Sequence, residues 1–190
     1  LLPSCSAFKL LPHNRGYSQE YAEIKGRYVA WQDTPYDLSY GKLAAYDLGP
    51  DKRYQTIDDG GIVYWNSLPN YNLRSNDIAL NSQGQLFFDM GYFQQSQLSE
   101  NHLLTCHISS CLNTLRILDK ASLQFPPHKY WREFDANNQY FIYVEQDNYL
   151  NTLSIIRYDL QTNSRLVLAS LNKPSWPIVD RYMDVSIDDS

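Results

Sequence analysis

One polar hairpin, written twice, limits what this chain can fold into. Tyr46-Asp47-Leu48-Gly49-Pro50-Asp51-Lys52-Arg53 returns as Tyr158-Asp159-Leu160-Gln161-Thr162-Asn163-Ser164-Arg165. Each copy follows an alternating apolar run, Lys42 to Ala45 and Leu153 to Arg157, and precedes a second short run, Tyr54 to Ile57 and Leu166 to Ala169. A strand, a turn rich in Gly, Pro, Asn and Asp, then a strand is hairpin chemistry, because those residues accept turn dihedrals and offer short polar groups to the turn's own amides. A second element recurs upstream, an aromatic or β-branched run that ends in an acid: Tyr28 to Asp33, Leu86 to Asp89 and Tyr140 to Glu145. Each is entered through a polar turn: Lys25-Gly26-Arg27, Asn81 to Gln85, and Asp135 to Gln139. Tyr28, Leu86 and Tyr140 thus open equivalent strands.

A period near 55 residues with four short strands per period suits a twisted antiparallel sheet that cannot bury both faces until a neighbour stacks on it. The expected fold is all-β: about three four-stranded antiparallel β-propeller blades plus the start of a fourth. The divisions are an N-terminal extension at 1–21, blades at about 22–77, 78–131 and 132–183, and a partial blade at 184–190. Between the two Tyr-Asp-Leu hairpins, a middle one is expected from Leu103 to Ile108, turning at Ser109-Ser110 into Leu112 to Leu118. Val185-Ser186-Ile187-Asp188-Asp189-Ser190 matches the lead-ins at Leu80-Asn81-Ser82 and Phe134-Asp135-Ala136. A closed propeller generally needs four or more blades. The chain therefore reads as a piece of a larger propeller, or as one completed by strands of another chain or copy. The competing arrangement is a three-sheet sandwich or irregular meander.

On these motifs, residues 22–190 resemble the TolB-like and related bacterial propeller repeats, in which an apolar strand ends in Tyr-Asp-Leu and a short turn. Two departures stand out: the second repeat has Cys106-His107-Ile108 in place of Tyr-Asp-Leu, and the turns carry Asn-Asn and Gln-Gly in place of Asp-Gly.

Composition narrows the functional classes. Sixteen Tyr and four Trp suit half-buried strand faces. A net charge of -5 without any Lys/Arg run offers nothing to a phosphate backbone, so nucleic acid is not an expected partner. No run of about 18 apolar residues exists to span a membrane as a helix. Four residues separate Cys106 from Cys111, so a disulfide stapling the middle hairpin, and with it an oxidising compartment, is one reading. Two reduced thiols are another, and a zinc site including His107 is a weaker third. Leu2-Pro3-Ser4-Cys5 resembles the lipobox end of a bacterial lipoprotein signal, which makes Cys5 a candidate lipid anchor, although processing there removes the residues before it.

Candidate chemistry is sparse. His13, His102, His107 and His128 have no metal-ligand spacing, and no P-loop, GxGxxG or GxSxG motif occurs, so no cofactor and no metal is expected. Asp147-Asn148 and Asp58-Asp59 are only weak calcium candidates. The recurring acids Asp33, Asp89 and Glu145 support an alternative in which two rim carboxylates hydrolyse glycans. The connections carrying Tyr36, Tyr40, Tyr71 and Trp176 offer large rings with polar handles, the material of recognition surfaces. The leading expectation is a non-enzymatic propeller that binds protein partners in a bacterial periplasm, at the outer membrane or outside the cell.

Overall fold

The computed structural model describes residues 17–35, 42–52, 61–65, 71–94, 97–122, 129–172 and 185–188. Among these described residues twelve strands form three four-stranded sheets. The first holds β1 (Tyr17–Lys25), β2 (Tyr28–Pro35), β3 (Lys42–Asp47) and β4 (Gly61–Trp65). The second holds β5 (Tyr71–Leu80), β6 (Gln85–Gln94), β7 (Gln97–His107) and β8 (Arg116–Ser122). The third holds β9 (Lys129–Ala136), β10 (Tyr140–Asp147), β11 (Thr152–Asp159) and β12 (Ser164–Asn172). Every strand pairs antiparallel with its sequence neighbour within its sheet, and among the described residues no pairing crosses between sheets. The expected repeat of three antiparallel blades is the observed architecture. No helix among the described residues is long and apolar enough to cross a membrane.

Positions 78 and 132, expected as blade starts, fall inside β5 and β9. A bulge between Leu73 and Ile78 breaks the two-residue alternation of β5, which hides its first half from a periodicity reading. The middle hairpin also departs from expectation. After β7 the chain makes a 3₁₀ turn over Ile108–Ser110 and one helical turn, α1, at Cys111–Thr114, and strand resumes only at Arg116. The Cys106–Cys111 disulfide closes this loop, and Thr114 locks it by accepting the His107 N–H and donating its hydroxyl to the Ser110 carbonyl. Leu112, expected in a strand, is instead 68% exposed at the loop's tip.

A single backbone contact aligns the three sheets. The N–H of Leu48, Ile108 and Leu160 donates to the carbonyl of Arg27, Gly84 and Gln139, so Tyr28, Gln85 and Tyr140 are equivalent, as are Asp47, His107 and Asp159. Those last three do one job. The Asp47 carboxylate accepts from Gly49 N–H, the Asp159 carboxylate from Gln161 N–H, and His107 Nδ1 from Ser109 N–H, always two residues on. Imidazole thus replaces carboxylate where the Tyr-Asp-Leu signature lapses.

The sheets stack face to face. Tyr28, Ala30, Leu43 and Ala45 of the first sheet bury against Ile78, Leu80, Leu86, Phe88 and Leu104 of the second. Phe87 and Leu103, on the second sheet's other face, bury against Phe141, Tyr143 and Ile156 of the third. Phe87 lies flat on Phe141 with ring centroids 4.4 Å apart. Ile142, Val144 and Leu153 then meet Val185 on the third sheet's far side. Strands buried on both faces read as unbroken apolar runs, which is why β6 and β10 show no polar alternation at their centres. Polar clasps repeat along the stack: Asn81 Nδ2 donates to the Asn137 carbonyl, and Asn137 Nδ2 to the Asp188 carbonyl. Residues 185–188 therefore dock on the third sheet as that sheet's own lead-in docks on the second.

Candidate functional site

Successive antiparallel strands make the connections alternate between two ends of each sheet, and contacts between sheets show that the ends coincide. A Cβ on Gly26 would sit 3.2 Å from that of Ser82, Ser82 Oγ bonds the Asn138 side chain at 3.0 Å, and His107 Nε2 meets the Gln83 carbonyl at 2.9 Å. The β1–β2, β5–β6, β9–β10 and β7–β8 turns thus share one end. At the opposite end β2 stops and β3 starts, β5 and β9 start, β12 stops, and β10 turns into β11.

Of the aromatic residues expected to bind, Tyr36, Tyr40 and Trp176 lie outside the described residues, as does Cys5. Tyr71 is the first residue of β5, in backbone register with Tyr92. What the structure adds there is the β10–β11 turn. Asp147 Oδ1 accepts the N–H groups of both Tyr149 and Leu150 at 2.9 Å, and Gln146 Nε2 donates to Asn148 Oδ1 at 2.7 Å. Asn151 closes the turn in the left-handed region at φ 52°. The turn holds Tyr149 79% exposed and Leu150 65% exposed. Asp147 Oδ1 serves the turn's own amides, and the turn brings no second carboxylate to the Asp147-Asn148 calcium candidate. Asp58-Asp59 lies outside the described residues, and no group of three potential metal ligands occurs among those described.

The three recurring acids do not share one register. Counted from the aligned positions, Asp33 and Glu145 are sixth in their strands and Asp89 is fifth in its own. The β5–β6 turn carries an extra residue, so matching Leu86 to Tyr28 by apolar pattern slips the strand by one. Asp89 and Glu145 are also buried, at 5% and 6% exposure. Glu145 receives Arg165 at 2.6 Å, Lys129 Nζ at 3.4 Å and the Trp131 indole N–H at 3.4 Å. A glycosidase needs carboxyls that reach both faces of a scissile bond, and a carboxylate enclosed by two cations and an indole does not offer that.

The described histidines are likewise engaged. His102 bonds Glu100 at 2.7 Å and stacks on Tyr92 with centroids 5.1 Å apart, and this hydrogen bond holds the Glu100 carboxyl below the usual carboxylate range. A cleft of about 250 Å³ lies beside the disulfide at the β7–β8 end, and the polar groups around it bond one another or the next sheet: Gln85 to Thr105, and Arg116 to Asn163. Cys106 and Cys111 are both buried, and the disulfide reading of the cysteine pair is the one realised.

Comparison with known proteins agrees with the sheet stacking. The chain superimposes on the β-propeller domain of the Trilobed protease from Pyrococcus furiosus, described as having an open velcro topology, with a TM-score of 0.52 and 10% identity over 87% of this chain. The fold is a β-propeller. This chain spans less than half, 46%, of that one. A chain of a Nidogen/Laminin complex aligns over 84% of this chain and 81% of its own, at 11% identity and a TM-score of 0.24. No protein-family model and no curated protein matches the sequence.

Proposed function

We propose that this propeller is a non-enzymatic recognition module that binds protein partners through the blade end carrying the Tyr149-Leu150 turn, within a bacterial envelope or secreted assembly. The observation that carries this reading is the pinned exposure of those two side chains. A surface Tyr and Leu held by an Asp147 turn lose little conformational freedom on binding, and rigid aromatic anchors of this kind supply much of the energy in interfaces. Tyr71 opens β5 at the same end, and Tyr36, Tyr40 and Trp176 remain candidates from the sequence alone. The Cys106–Cys111 disulfide supports an oxidising compartment, and Cys5 is the candidate lipid attachment. The duplicated Tyr-Asp-Leu turns, with His107 filling the missing position, support placing the repeats near the TolB-like group. Protection of Glu145 by Arg165, Lys129 and Trp131 argues against the hydrolytic alternative built on Asp33, Asp89 and Glu145.

Site-specific photocrosslinking tests the recognition end. A photoreactive residue at Tyr149 is expected to give a discrete adduct in source-cell extract, lost when Leu150 is changed to Ser. The same probe at Leu112, equally exposed at the other end, is expected to give none. Equal labelling from both ends, or an adduct indifferent to Leu150→Ser, would overturn the proposal.

A further inference from the structure

The first strands of the three sheets converge: β1 lies against β5, and β5 against β9. Carboxylates gather where they meet. Asp77 sits in the β5 bulge, its Oδ1 accepting Ile78 N–H at 2.9 Å and its Oδ2 accepting Phe134 N–H of β9 at 2.5 Å. That second bond ties the second sheet to the third. Asp135 of β9 repeats the theme, accepting Ile187 N–H at 2.7 Å and pairing with Lys25 of β1 at 3.5 Å. The charges that act on Asp77 include Glu133 of β9 and Glu23 of β1; Glu23 is flanked in turn by Asp135 of β9 and Lys25, while Asp89 of β6 stands at the register position opposite the bulge. Glu133 holds the left-handed conformation, φ 52°, inside the β9 bulge, so the backbone itself fixes this residue beside the seam.

We propose that this junction is a proton-operated latch: one proton held on Asp77, beside Glu23 and Glu133, closes β5 against β1 and β9, and its loss loosens the seam. This goes beyond the recognition reading and does not rest on it. The geometry supplies the cause. Asp77 feels the charges of Glu133 from the third sheet and Glu23 from the first, while Lys25 is drawn to Asp135, so its ionisation sets like charges against each other at the seam. Burial, opposed by the two amide donors and reinforced by Glu133 and Glu23, pushes Asp77 up to about 7. Burial and then Asp135 also raise Glu23, with Lys25 pulling the other way. A carboxyl raised in the folded state stabilises the fold while protonated, and that contribution fades as pH rises from the ordinary value of 3.8 through about 7. The latch is therefore shut in mild acid and loosened above neutrality.

Amide exchange and carboxyl titration by NMR, on the intact protein, test this directly. Between pH 5.5 and 8.5, after correction for intrinsic exchange, Phe134 N–H is expected to lose protection by about thirtyfold, the most that one proton with a folded-state midpoint of about 7 yields across that window. Asp77→Asn keeps an acceptor for Phe134 N–H and is expected to flatten that dependence, leaving the variant better protected than the parent at pH 8.5. Where Asp77→Asn does not fold, Glu23→Gln serves: it is expected to lower the Asp77 titration midpoint. An Asp77 carboxyl carbon titrating near its ordinary value in the unaltered protein, or a Phe134 pH profile identical in parent and Asn variant, overturns the latch.

Discussion

Replacing Glu145 by Ala removes the acceptor shared by Arg165, Lys129 and the Trp131 indole. Breaking one partner out of a buried ion pair costs about 3–5 kcal/mol when the survivors stay dry. Here they are partly wet: Arg165 keeps 36% and Lys129 26% of its side-chain exposure, so both recover some hydration. The indole N–H does not, since Trp131 is 1% exposed, and a buried donor left without its acceptor costs about 1–3 kcal/mol. The net expectation is a loss of about 3 kcal/mol for Glu145→Ala, and about 1–2 kcal/mol for Glu145→Gln, which keeps an oxygen for Trp131 but gives up the charge. Urea denaturation followed by far-UV circular dichroism and tryptophan fluorescence measures both, with Arg165→Met completing a double-mutant cycle. A Glu145→Ala variant within about 0.5 kcal/mol of the parent would place the carboxylate among ordinary surface groups and refute the reasoning. Hydrolytic turnover lost in Glu145→Gln at unchanged stability would refute it from the other side.

Two further outcomes follow from the blade seams. Gly84 sits at φ 81° with the Tyr28 ring 2.8 Å from where a Cβ would be, so Gly84→Ala is expected to cost about 2–4 kcal/mol and to disturb the seam between the first and second sheets, read from urea midpoints and Tyr28 chemical shifts. The Cys106–Cys111 bridge closes a short loop, so changing both cysteines to Ala is expected to cost about 2 kcal/mol, with loss of amide protection confined to Ile108–Thr114. Loss spread evenly across all three sheets would contradict the second expectation.

The blades were legible because burial on both faces leaves a strong mark. Phe87 and Phe88 point to opposite neighbours, yet both must be apolar, and the same holds along Phe141 to Val144. The turn at His107 was not legible as a repeat, because a different residue type supplies the same acceptor to the amide two residues on. The slip at Asp89 arose from one extra turn residue that no apolar pattern can count. Tyr149 and Leu150 escaped notice because a Tyr-Leu pair in sequence looks like core material, and only the Asp147 turn decides that it faces solvent. The axial carboxylates were equally hidden. Glu23, Asp77 and Glu133 come from three repeats whose first strands all carry bulges, at matching register in β1 and β9 and one position further along in β5, so apolar periodicity cannot count which positions meet.

Ring-to-ring nuclear Overhauser effects in phenylalanine-labelled protein probe the stacking of successive sheets most directly. Strong cross-peaks are expected between Phe87 and Phe141, whose centroids lie 4.4 Å apart, and none between Phe88 and Phe141, because Phe88 faces the first sheet. Contacts from Phe88 to Phe141, or no contact from Phe87, would contradict the arrangement from which every other inference proceeds.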